Sequence, residues 1–113
     1  MAVDQIQLKT LKDILGSETL NRVKESYIED SQPKLELLGN AVESLDFATI
    51  EQLSHSLKSA SSNLALSELA RLFANMEAAA TQQEPSSLAA LYDAVQVTYP
   101  EELLELDSLL NAG

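Results

Sequence analysis

The chain has 113 residues, 18 acidic and 7 basic, for a formal net charge of −11, with no cysteine and a single histidine. That excludes a disulfide framework and thiol redox chemistry, leaves no histidine–carboxylate cluster on which to build a zinc site, and disfavours nucleic-acid or anionic-membrane partners, both of which need a positive face. No apolar run approaches the ~18 residues of a membrane span and no charged-then-apolar leader opens the chain, so the expectation is one cytoplasmic domain over residues 1–113.

In chain order, Val3 to Leu15 reads as a short first helix, with Leu8, Leu11 and Leu15 on one side, Asp4 as N-cap and Gly16 as its stop. Ser17 can cap a second helix running from about Glu18 to Ser44, whose apolar face is Leu20, Val23, Tyr27, Ser31, Leu38, Val42 and Leu45. Pro33 should kink it and Gly39-Asn40 weaken it, giving one long bent helix, with two helices as the fallback.

Asp46 reads as the N-cap of a third helix ending near Leu64. At about 100° per residue, Phe47, Ile50, Leu53, Leu57, Ala60, Ser61 and Leu64 fall on one side, and His55 lies roughly 165° from the centre of that stripe. The imidazole therefore points at water, among Glu51, Gln52, Ser59 and Ser62. An exposed histidine is ordinarily just a solvated residue. Here the surrounding side chains are small enough for another protein to approach. Lys58, one turn on, can reach an anion held on the ring. A neutral imidazole titrates near neutral pH and is a competent nucleophile.

Ser67 reads as the cap of a fourth helix with Leu69, Leu72, Phe73, Met76 and Ala80 as its stripe. Its flank of Ala70, Ala74 and Ala78 either allows close helix packing or keeps a docking surface flat beside His55. Residues 81–86 are the clearest loop. A last helix starts near Ser86 with Leu88, Tyr92, Val95 and Tyr99, and Pro100 is expected to break it. Thr98 and Glu101 have capping-box spacing for a fresh start through Leu103, Leu106 and Leu110. The fold class expected is all-α, an antiparallel four-helix bundle with an additional short N-terminal helix. No glycine-rich loop follows a strand, so nothing cradles a nucleotide and no kinase activity is expected.

The run His55-Ser56-Leu57-Lys58-Ser59-Ala60-Ser61-Ser62-Asn63-Leu64-Ala65 resembles the His-x-x-Lys-small core of the histidine-containing phosphotransfer (HPt) domains of bacterial phosphorelays. Leu69 and Met76-Glu77 sit where that family has a leucine and a hydrophobic-Glu/Gln pair, and Tyr27 and Asp30 are similar to the aromatic and acidic positions of its long preceding helix. Ser59 and Ala65 stand where the family usually has glycines; Asn63 is then expected to take over helix termination.

The resemblance implies phosphorylation at His55, with Lys58 stabilising the phosphoryl group and Glu77 hydrogen-bonding the imidazole. Glu51, Gln52, Ser59, Ser62 and Ala74 would form the surface on which a receiver docks. The implied partners are the receiver domains of a hybrid sensor kinase and of a response regulator. The implied protein is a free-standing monomer with no cofactor of its own, the Mg²⁺ belonging to the receiver. The alternative is a helical adaptor that binds receiver or kinase domains without carrying phosphate; hydrolase or general-base chemistry at His55 lacks a nucleophile–base–orienter set.

Overall fold

The computed structural model describes residues 3–111. Among them the chain forms five helices: α1 (Gln5–Leu15), α2 (Ser17–Ser44), α3 (Phe47–Asn63), α4 (Ser67–Thr81) and α5 (Leu88–Asn111). The only extended pairing among the described residues is an isolated bridge between Val3 and Leu66. Helices α2 to α5 are the antiparallel bundle, α3 lying between α2 and α4, and α1 packs on α2. The core is aliphatic apart from Phe73 and Tyr27, with Leu20, Leu38, Ile50, Leu57, Met76, Leu88, Val95 and Leu106 almost wholly buried.

Several boundaries follow from local chemistry. The Asp4 carboxylate accepts the Gln7 N–H and the Asp46 carboxylate accepts that of Thr49, so both are N-caps. Gly16 ends α1 at φ +82°, a conformation glycine adopts without strain. It also occupies the N-cap of α2, so Ser17 is the first helical residue there and not the cap. On α2, Leu20, Tyr27, Ser31, Leu38 and Val42 are buried as the spacing predicts, while Val23 and Leu45 lie at the surface.

The ends of α2, α3 and α4 share one device. In each, an N–H one residue beyond the left-handed position reaches back five residues: Asp46 to the Ala41 carbonyl, Leu66 to Ser61, and Glu84 to Ala79. This is the Schellman closure, which usually places glycine in the left-handed position. Here the positions are Leu45, Ala65 and Gln83, at φ +54°, +61° and +54°. The expectation that Asn63 would take over termination for want of a glycine at 65 is therefore corrected. Asn63 is simply the last helical residue of α3, and Ala65 itself turns left-handed. The Ala65 carbonyl accepts the Asp4 N–H at 2.8 Å, which helps hold the turn against a local cost of about 1–2 kcal/mol.

Both internal prolines are accommodated. Helix α2 runs unbroken through Pro33 as one element, and α5 runs unbroken through Pro100. The expected break at Pro100, with a new start capped by Thr98, does not occur. A mid-helix proline costs about 3 kcal/mol. Leu106 and Leu110 beyond it are buried in phase with Leu88 and Val95, and burying each contributes about 1.5–3 kcal/mol. Both prolines are exposed, as are Glu29 and Gln96, whose carbonyls lose their helical donor, so water can serve those groups. Gly39 packs against the Tyr92 ring, where a Cβ would fall 2.5 Å from the phenolic oxygen; that hydroxyl donates to the Leu35 carbonyl at 2.8 Å.

Helix α4 also departs from the local signal at its start. The residue at its N-cap is Leu66, which offers no side-chain acceptor, and Ser67 is already helical. The cap comes from α5: the fully buried Glu102 carboxylate accepts the Leu69 N–H at 2.7 Å and the Glu68 N–H at 3.2 Å. Burial pushes the Glu102 carboxyl up to about 7, with the nearby Glu68 and Glu105 charges adding to the rise and the two N–H donors opposing it. The unfolded value is near 4.5, so the folded state binds the proton more tightly. Stability is then expected to rise as pH falls from 7.5 to 5, where the Glu102 contribution approaches its full value. Urea unfolding at the two pH values checks this: the increment should be present in the parent chain and absent in Glu102→Gln. A parent chain whose stability is flat or falls over that range contradicts it.

Candidate functional site

Helix α3 buries Ile50, Ser54, Leu57 and Ser61, with Leu64 just beyond its end. These positions follow a four-then-three spacing, one helical stripe. Its centre is turned slightly from the expected one, because Ser54 is fully buried while Leu53 and Ala60 are only half-buried at the edge. The Ser54 hydroxyl has no hydrogen-bond partner among the described residues, a cost of about 1–3 kcal/mol. What serine offers there, as at Ser61, is small volume on a face packed against two helices.

The stripe sends His55 outward, with 63% of its side chain exposed. Its Nδ1 lies 2.9 Å from Glu77 Oε2 on α4, and Lys58 Nζ donates to the other oxygen of the same carboxylate at 2.6 Å. One carboxylate thus receives two groups a single turn apart on α3. The Lys58 hydrogen bond, and after it the His55 one, hold the Glu77 carboxyl below the usual carboxylate range. An ionised Glu77 accepts from both partners, which makes Nδ1 the protonated nitrogen and leaves the lone pair on Nε2. Nε2 has no hydrogen-bond partner among the described residues.

The register of α3 against α4 creates this arrangement. One turn before His55, Glu51 accepts a hydrogen bond from Thr81, one turn after Glu77. On the same antiparallel register Ala74 falls beside the turn of Lys58 and Ser59, and Ala70 beside Ser62. Glu51, Gln52, Ser59 and Ser62 are all exposed, and Ala74 is half-buried. The five positions expected to form a docking surface therefore share the His55 side of the α3–α4 pair. Glu51 is tied down through Thr81.

Tyr27 and Asp30 lie on α2, on the other flank of α3. Tyr27 is buried, its hydroxyl 2.8 Å from Ser61 Oγ and its ring stacked on Tyr99 at 6.1 Å between centroids. Burial pushes its phenol far above the ordinary value. Tyr99 in turn lies 2.6 Å from Ser31 Oγ. These contacts join α2 to α3 and α5 beneath the site, a structural duty. The sequence reading missed Lys34, whose ammonium donates to Ser56 Oγ at 2.9 Å, beside His55. No local pattern announces that contact, since the partners belong to different helices.

The tautomer is the testable consequence. In ¹⁵N spectra of the neutral ring, the parent chain is expected to show the Nδ1–H form, and Glu77→Ala is expected to shift the population toward Nε2–H. An unchanged tautomer ratio in Glu77→Ala would show that the carboxylate does not orient the ring.

The family model described as Hpt domain matches residues 22–112 of the chain. No curated protein matches the sequence. Among solved structures the chain is similar to the crystal structure of histidine-containing phosphotransfer protein B (HptB) from Pseudomonas aeruginosa PAO1. The two share 20% identity over 99% of this chain and 96% of that one, with a TM-score of 0.87. At that identity the likeness is one of fold.

Proposed function

The chain belongs to the Hpt domain family, and we propose that it accepts a phosphoryl group on His55 from the aspartyl phosphate of one receiver domain and passes it to the aspartate of another. The family's role is histidine phosphotransfer in two-component phosphorelays; its domains are carriers rather than kinases and work with receiver or kinase partners. The observation that carries the site assignment is the exposed imidazole with Nδ1 tied to Glu77 and Nε2 unengaged.

In the forward step the Nε2 lone pair attacks phosphorus, the N–P bond forms, and the P–O bond to the partner's aspartate breaks, with the carboxylate as leaving group. The ring gains positive charge while Nδ1 keeps its proton, and the Glu77 carboxylate facing Nδ1–H offsets that charge. No proton need move. Onward transfer is the reverse of this step on a second carboxylate. The phosphoryl group carries close to −2, and Lys58, a turn from His55, is the cation proposed to meet it. Ser59 and Ser62 leave room for the partner. A Mg²⁺ on the receiver would supply the remaining charge neutralisation, leaving this chain to contribute a positioned nucleophile. Among the described residues no helix is long and apolar enough to cross a membrane. On this reading the chain works as a cytoplasmic monomer with no kinase activity of its own.

Incubation with a phosphorylated receiver is expected to give an acid-labile, base-stable label that His55→Gln abolishes. Label surviving in that variant removes the assignment, and binding without label favours a phosphate-free adaptor. Lys58→Ala should slow transfer about tenfold or more, from a charge-assisted contact of about 1.5–3 kcal/mol, with thermal unfolding little changed. An unaltered rate would make the lysine ordinary surface.

A further inference from the structure

We propose that Lys34 of α2 is a docking cation, pairing with a carboxylate on the acidic rim of the incoming receiver. The proposal rests on the relay reading and extends it to a residue outside the His-x-x-Lys core.

The problem it addresses is charge. A receiver that holds a divalent cation and carries an aspartyl phosphate presents a carboxylate-rich active site. This chain, at −11, repels such a surface at long range. The face around His55 is the exception. Helix α3 carries one acid, Glu51, which is hydrogen-bonded by Thr81, and its other exposed positions near the site are glutamine and serines. Glu77 beside it is matched by Lys58.

Two ammonium groups flank the imidazole, and they are held differently. Lys58 lies on the α4 side in a 2.6 Å bond to Glu77, the carboxylate that also orients the ring. Sending it to the partner's rim would strip that carboxylate of its main counter-charge. Lys34 lies on the α2 side, where its ammonium rests on the neutral hydroxyl of Ser56, the residue directly after His55. Its nearest carboxylate, Asp30, is 3.9 Å away and itself 83% exposed, a pairing of little strength in water. Lys34 can therefore be redirected without dismantling the site. It stands at the rim of an open groove between α2 and α3, walled by Tyr27, Asp30, Ser56, Ala60 and Asn63. Ser56, the neighbour of His55, lines this groove together with Lys34, so a partner seated on His55 and reaching to the α2 side meets Lys34 there.

The test uses the full chain and a receiver domain that binds it, in the Mg²⁺ and beryllofluoride-loaded form, with affinity measured by titration at several salt concentrations. Lys34→Gln keeps a donor for Ser56 but loses the charge. It is expected to weaken binding about tenfold and flatten the salt dependence, with Lys34→Glu weaker still. Lys34→Arg should restore both, and the maximal single-turnover transfer rate should change less than twofold. Affinity and salt dependence in Lys34→Gln within twofold of the parent overturn the proposal, as does failure of Lys34→Arg to restore them. A purely structural role would lower thermal stability without altering the salt dependence, and that result also overturns it. A parent chain that binds but takes no label at His55 overturns the relay reading alone, because the affinity comparison stands without transfer.

Discussion

Glu77 is the constraint on which the site depends. One carboxylate on α4 accepts from His55 Nδ1 and from Lys58, so it sets the ring's tautomer and parks the cation beside it. Neither contact exists in α3 alone. Sliding α4 by one residue would rotate Glu77 by about 100° and carry it away from both partners. The register is fixed from both ends of α4. At its start the Glu102 carboxylate of α5 takes the first N–H groups; at its end Thr81 meets Glu51 and the left-handed turn at Gln83 closes the helix. The buried carboxylate, at first sight a liability in an aliphatic core, thus contributes to the geometry of an exposed ring on another helix.

The rest of the bundle holds a rigid α3 with one face outward. Tyr27 and Ser61 join it to α2, and the Schellman turn at Ala65 is pinned by the Asp4 N–H and the Val3–Leu66 bridge. Sequence determines this face twice over. The apolar stripe decides which side turns inward, and the small, neutral residues on the opposite side leave the imidazole approachable in an otherwise acidic chain. Little of the geometry is local to His55: its unengaged atom is Nε2, and the carboxylate that orients the ring comes from a neighbouring helix.

How much of this could be read beforehand depends on the range of the interaction. The outward direction of His55, the caps at Asp4 and Asp46, the stop at Gly16 and the stripe of α4 are set within a turn or two, and periodicity exposes them. Pro100 and Ser67 misled because each is a strong local signal outweighed at a distance. Burial of Leu106 and Leu110 carries α5 through the proline, and Glu102 does from 33 residues away what a serine cap would do locally. Glu102 did leave a trace, since it lies in phase with Val95 and Leu106 on the apolar face. Glu77 was placed by likeness to a family and not by spacing, and Lys34 by neither, because the Ser56 contact is a product of helix packing alone.

The claim at the centre is that Nε2 of His55 is the accepting atom, with Nδ1 protonated and held by Glu77. Correlated ³¹P and ¹⁵N NMR on the phosphorylated, ¹⁵N-histidine-labelled chain tests it most directly. The account predicts coupling of phosphorus to Nε2 of the single imidazole and a proton retained on Nδ1. Phosphorus bonded to Nδ1, or a phosphoryl resonance with no coupling to the ring, would contradict it.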